Sequence, residues 1–225
     1  DSLGLDASGW TAIAKNAGWQ MTRMNLNTFK RHGVLDNPEM VSLLAARLRN
    51  VEEISRARVF PYQLLMAYLN ASDIPVALTE ALQDAMEHAL NNVPSYNCNV
   101  VVCVDVSGSM SNPITGQRQG ATSKARCIDI AALIAAAILR KNPNARVIPF
   151  EVDVVDLKVN PRDSVMTLAT QIASVGGGGT TCSAPLALLN KENANADLVI
   201  YVSDNESWAD RGYCRGTGLS TEWLS

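Results

Sequence analysis

The residues best placed to do chemistry are Asp105, Ser107 and Ser109, spaced as D-x-S-x-S directly after the apolar run Val101-Val102-Cys103-Val104. Alternate positions along one extended loop can aim three oxygens at a common point. An all-oxygen donor set suits a hard divalent cation, and Mg2+ takes six oxygens at about 2.1 Å while keeping several waters. One carboxylate and two hydroxyls leave such an ion electron-poor. Asp204, at the end of a second apolar run, would add a carboxylate directly or through water. Thr180 or Thr181, which follow four glycines, would add a hydroxyl. The expected site is therefore Asp105, Ser107, Ser109 and Asp204 with Thr180 or Thr181, holding Mg2+ or another divalent cation. A turn rich in capping residues would explain D-x-S-x-S alone. It does not explain the added Ser203-Asp204 strand end and the Gly-Thr loop.

Catalytic alternatives are poorly supplied. The glycines at 176–179 are not followed by Lys-Ser or Lys-Thr, so they do not form a Walker loop. They read as a flexible connector that lets the threonine reach the ion. Cys182 and the serines would need a base to act as nucleophiles, and the only histidines, His32 and His88, stand far away in the N-terminal half. Metal-assisted hydrolysis usually needs an open metal position plus a base or a second metal. Glu206 is the one spare acid, and it reads as a solvated loop residue. The expectation is binding, not catalysis.

Two hydrophobic periods divide the elements that must position these residues. Up to about residue 93 the pattern is helical. Asn37-Pro38-Glu39 combines a cap, a first-turn proline and an acid. Met40, Leu43, Leu44 and Leu48 follow at helical spacing. Phe60-Pro61 interrupts, Tyr62 to Leu69 resumes, and Asp73-Ile74-Pro75 opens a helix carrying Leu78, Leu82, Met86, Ala89 and Leu90. Short connections between helices suggest stacked helical repeats.

From Asn99 onward strands and helices alternate. Strands are predicted over 99–105, 145–150, 152–159 and 198–203, and helices over 124–140, 164–173 and 185–189. Such alternation builds a doubly wound, mostly parallel sheet, and such sheets bind ligands at the carboxyl ends of their strands. Both Asp105 and Asp204 fall there. The predicted organisation is a helical-repeat module over 1–95 and an α/β domain over 96–225.

Net charge is −3 across 225 residues, which does not by itself announce a nucleic-acid partner. The charge is uneven, however: from Lys15 to Arg58 eight basic residues face four acids, leaving +4 there and −7 elsewhere. Within that window Lys30, Arg31 and His32 stand beside Asn27, a grouping able to contact phosphate and RNA bases. The competing explanation is a helix end whose cations complement its dipole, stopped by Gly33. Five cysteines, odd in number and without C-x-x-C, suggest a reducing compartment and no zinc framework. The longest apolar stretch, 128–139, holds Asp129 and is too short for a bilayer. No signal peptide is visible, and the chain begins at Asp1 as a fragment would.

With these residues in view, the two halves together resemble the Ro (TROVE-module) RNA-binding proteins. Asp105, Ser107, Ser109, Thr180 and Asp204 look like the metal-ion-dependent adhesion site of a von Willebrand factor A domain. Trp19 to Val34, Ser55 to Tyr68, Gly178 to Pro185 and Ser203 to Glu206 are similar to the family's own segments, in the same order. Thr181 stands where the family often has an acid.

The resemblance implies a ring of helical repeats closed by the A domain, with further elements on either side of this sequence. It implies binding of small non-coding RNA (Y RNA) on the outer surface and of misfolded RNA ends at the central hole. Bacterial relatives are similar to adaptors that bring RNA to an exoribonuclease. A cytoplasmic, non-enzymatic RNA-binding protein is thus expected. The alternative is a metal-dependent module that binds an acidic group of a protein partner without RNA.

Overall fold

The computed structural model describes residues 6–116, 123–204 and 218–224. The chain divides into two compact units, Asp1–Val93 and Pro94–Ser225.

The first unit holds α1 (Ala7–Asn16), α2 (Trp19–Met24), α3 (Leu26–Arg31), α4 (Pro38–Leu48), α5 (Val51–Arg56), α6 (Pro61–Asn70) and α7 (Val76–Ala89). Local chemistry starts several of them. The Asn37 side chain accepts a hydrogen bond from the Glu39 amide at 2.8 Å ahead of α4. Asn50 does the same for Glu53 at 3.0 Å ahead of α5. Each cap satisfies an amide that the helix itself leaves unpaired.

The buried side of α7 is Leu78, Ala81, Leu82, Ala85, Met86 and Ala89. That three-and-four spacing makes one stripe, and α4, α5 and α6 all pack against this helix. Polar groups drawn inside find partners. The Trp19 indole N–H donates to the Leu48 carbonyl at 3.1 Å. The Arg47 guanidinium donates to the carbonyls of Ala14 and Lys15 at 2.8 and 2.7 Å, closing the C-terminal end of α1.

The second unit holds β1 (Val100–Asp105), α8 (Cys127–Lys141), β2 (Arg146–Phe150), α9 (Val165–Ala173), α10 (Ala184–Glu192), β3 (Leu198–Val202) and α11 (Leu219–Leu224). Its sheet runs β2-β1-β3, parallel on both sides of β1. The central strand is buried along its whole length, as a continuous valine-rich run predicts. Val101, Cys103, Ile148 and Phe150 pack with Leu186 and Leu189 of α10. The alternate residues Val102 and Val104 point the other way, and α8 also packs on β1, with α9 against α8. The fold class expected from the sequence, helices followed by a parallel α/β sheet, is the one observed.

Two expectations need correction. The strand predicted over 152–159 does not form a ladder. The segment makes one antiparallel bridge, Phe150 to Val154, closed by two bonds: the Val155 amide to the Pro149 carbonyl at 2.8 Å and the Glu151 amide to the Asp153 carbonyl at 2.9 Å. Pro149 has no N–H to donate, so the outer edge of β2 cannot extend a regular ladder there. Secondly, β3 is half-buried, not fully enclosed as its apolar sequence suggested.

Candidate functional site

Parallel pairing brings the strand ends together. Asp105 lies opposite Phe150, and Val104 lies opposite Val202, so residue 203 emerges beside Asp105. The Asp105 carboxylate is wholly buried. One of its oxygens accepts the Ser107 amide at 2.9 Å, and the other accepts the Ser203 hydroxyl at 2.7 Å. Among the described residues no Lys, Arg or His side chain pairs with it. A buried carboxylate without a basic partner is costly, and a cation would compensate it. Ser107, 2 % exposed, has its hydroxyl 3.2 Å from that of Ser109. The latter sits in a short 3-10 turn over Gly108–Ser111.

Thr180 is also fully buried, and its hydroxyl oxygen has no hydrogen-bond partner among the described residues. An orphaned buried hydroxyl costs about 1–3 kcal/mol. These observations fit a hard cation. The donors are oxygens, no described basic side chain balances the carboxylate, and one buried hydroxyl has no partner among the described residues. No three His, Cys, Asp or Glu side chains cluster among the described residues, so the donor set there is hydroxyl-rich and unlike a thiolate–imidazole site.

Asp204 sits half-buried at the end of β3. Its charge reaches Cys127 in the first turn of α8: burial pushes that thiol's pKa up, and Asp204 pushes it further. The amino end of a helix is a favourable neighbour for a carboxylate. Glu206 lies outside the described residues.

The glycines at 176–179, expected as a flexible connector, are a packed strap. The Gly177 amide donates to the Val106 carbonyl at 2.9 Å, and the Gly108 amide to the Gly178 carbonyl at 2.8 Å. Gly176 has a left-handed φ of +89°, and a Cβ there would fall 2.3 Å from the Val106 carbonyl oxygen. A Cβ on Gly108 would meet the Gly177 carbonyl at 3.0 Å. Two backbones approach this closely only without side chains. The sequence reading missed Ser203 and Glu151. Register alone could have found Ser203, since it falls beside Asp105 once β1 and β3 pair. Glu151 carried no local signal.

In the first unit the expected RNA-contacting cluster separates by role. The Lys30 ammonium donates to the Ser72 carbonyl at 2.9 Å and stands 3.5 Å from Asp73. The His32 ring stacks on Trp10, with centroids 4.3 Å apart and planes 12° from parallel. Arg31 is exposed and makes no ion pair among the described residues. Part of the positive window is also spent internally, because Arg49 pairs with Asp84 at 2.6 Å and Arg56 with Glu53 at 2.7 Å.

A helical unit followed by a parallel sheet, with an acid, two serines, a threonine and a second acid at its strand ends, defines a helical-repeat protein carrying a von Willebrand factor A-type domain. The chain matches the Ro60 vWA domain over residues 99–213 and the TROVE domain over residues 2–134. It belongs to the Ro (TROVE) family.

The chain is similar to the RNA-binding protein RO60 of Deinococcus radiodurans, 27% identical over 216 residues, covering 90% of this chain and 40% of that protein. It is also similar to the RNA-binding protein RO60 of Caenorhabditis elegans, 25% identical over 202 residues, covering 84% of this chain and 30% of that protein. The crystal structure of the Deinococcus radiodurans RO (RSR) protein shares the fold, with a TM-score of 0.76 at 24% identity over 96% of this chain and 45% of that one. The chain therefore spans less than half the length of these relatives.

Proposed function

We propose that this chain is part of a non-catalytic RNA-binding protein whose A-type domain holds a divalent cation. What carries the reading is the family of the first unit, together with relatives named RNA-binding proteins. The RNA partner proposed is a small structured non-coding RNA of Y-RNA type together with misfolded RNA ends, in RNA quality control or as an adaptor to an exoribonuclease. The Lys30–His32 helix end would meet phosphate, with Arg31 as the exposed charge, Lys30 held by the Ser72 carbonyl and His32 stacked on Trp10. Filter binding of the chain to a structured RNA at rising salt tests this. Affinity should fall linearly on a log–log plot, and Arg31→Ala should flatten the slope by about one. Affinity indifferent to salt would sink the phosphate contact.

In the second unit Asp105, Ser107, Ser109 and Thr180 would hold Mg2+ or a similar ion, with Asp204 bound directly or through water. The ion would supply a Lewis-acidic point for an acidic group. The buried, cation-free pairing of Asp105 and the orphaned Thr180 hydroxyl support the site. They also support a second reading, in which the ion captures an Asp or Glu of a protein partner and the helices serve as scaffold. The ratio of nucleic-acid to protein absorbance after purification separates the two. Catalysis is not part of the proposal, since the second unit contains no histidine. A cytoplasmic location is proposed, in keeping with the free thiols of Cys98, Cys103, Cys127 and Cys182. Among the described residues no helix is long and apolar enough to cross a membrane.

A further inference from the structure

Glu151 follows the last residue of β2 and makes three hydrogen bonds, two to the glycine strap and one to the segment just after it. Its carboxylate accepts the Gly178 amide at 2.7 Å. Its carbonyl accepts the Thr181 amide at 2.7 Å, and its own amide donates to the Asp153 carbonyl at 2.9 Å. The two bonds to the strap fall on either side of Thr180, two residues before it and one after. They fix the backbone that carries the orphaned, fully buried Thr180 hydroxyl. The fit is tight: a Cβ on Gly178 would fall 2.9 Å from the Glu151 carboxylate. Gly178 in turn accepts the Gly108 amide through its carbonyl at 2.8 Å, so the clamp reaches the loop bearing Ser107 and Ser109.

We propose that Glu151 is the positioning residue of the cation site, holding the glycine strap so that the Thr180 hydroxyl stays in the donor set. This rests on the cation reading above. An N–H donated to a carboxylate is stronger than one donated to a neutral acceptor. Groups that orient metal ligands typically govern affinity by about 10–100-fold when removed.

Reach and charge can be told apart. Glu151→Gln removes the charge but keeps an oxygen able to accept the Gly178 amide. Glu151→Asp keeps the charge but withdraws it by one methylene. The backbone bond from Thr181 survives in both.

The test titrates the chain and both variants with Mn2+ alone, read by electron paramagnetic resonance of the free ion. Hydrogen exchange of the amides at 176–181 is followed in parallel without metal. Glu151→Gln keeps the acceptor in reach and gives up only the charge assistance, so it should weaken the affinity by no more than about threefold. Glu151→Asp should weaken it by about 10-fold or more and speed exchange in the strap while β1 stays protected.

Weak Mn2+ binding by Glu151→Gln with parent-like binding by Glu151→Asp would overturn positioning in favour of a bare charge effect. Parent-like binding by both would overturn any role for Glu151 and leave the cation site standing. A parent chain that binds no Mn2+ would remove the cation reading, and this inference with it. Should either variant melt far below the parent, Thr180→Ser is the second probe. It keeps the hydroxyl and the clamp, so it should retain Mn2+ binding, and its failure to do so would count against a positioned Thr180 donor.

Discussion

Thr180 and Asp105 show how a site built for an ion looks from the protein's side. Among the described residues the Thr180 hydroxyl is buried without a hydrogen-bond partner and Asp105 is buried without a basic side chain beside it. In the metal-free chain both groups are liabilities. Thr180→Val keeps the shape and removes the orphan, so the metal-free protein should gain about 1 kcal/mol in urea melts. The rise in melting temperature on adding Mg2+ should shrink in the same variant. A loss of stability in the metal-free Thr180→Val protein would mean that the hydroxyl is satisfied after all.

Cys103 makes the opposite case, a reactive group silenced by its surroundings. Burial in the central strand pushes its thiol up from 9.0 to about 12, against smaller opposing effects of Tyr201 and Arg146. The folded value lies above the unfolded one, so the neutral thiol's contribution to stability is complete below pH 9. It is lost as pH rises toward about 12. Alkylation at mildly basic pH should therefore label exposed Cys98 at once and Cys103 only with global unfolding. In Cys103→Ala the alkaline fall in stability should be shallower than in the parent.

Among the elements, the glycine strap departs most from its sequence. A run of four glycines reads as slack chain, because glycine costs the most entropy to order. Here the absence of side chains is what permits two backbones to bond across the site. Gly176→Ala places a methyl 2.3 Å from a carbonyl oxygen at a positive φ. It should cost about 2–4 kcal/mol in equilibrium unfolding and abolish cation binding. Gly18→Ala, with open space around its Cβ position, should change stability by no more than about 1 kcal/mol. A mild Gly176→Ala would show that the strap is loose in solution.

The edge strand teaches a related point. The valine-rich segment 152–159 predicts a strand, yet its neighbour β2 carries Pro149, and a ladder needs donors on both sides. Whether such a pattern becomes a strand depends on a partner that its own residues do not reveal. The α8 start at Cys127, later than the predicted 124, has a local cause: the Arg126 amide donates to the Asp129 carboxylate at 2.8 Å, setting the cap there.

For the molecule as a whole, two units with separate cores imply separable responses. A cation bound at the β1–β3 strand ends stabilises the state that holds it. Hydrogen exchange with and without Mg2+ should show new protection in β1 and in the strap, with α4 and α7 unchanged. Protection spreading equally through both units would contradict that independence. The positive window of the first unit is weaker than a count along the chain implies. Asp73 and Asp84, both outside the window, neutralise Lys30 and Arg49 within it. RNA affinity carried by this unit should accordingly depend on few charges, and on Arg31 more than on Lys30.

Residue types and periods were enough to reveal the helical half, the buried parallel strand and the oxygen-rich loops at its end. These signals are local: a cap, a stripe, a run of valines, a spacing of hydroxyls. The chain could not show which distant groups would meet. Ser203 reaches Asp105 only through strand register. Glu151 reaches Gly178 only because β2 ends beside the strap. Lys30 loses its freedom only because the segment after α6 returns to it. Each is a contact across tens of residues, set by how the elements pack and invisible to any window along the sequence.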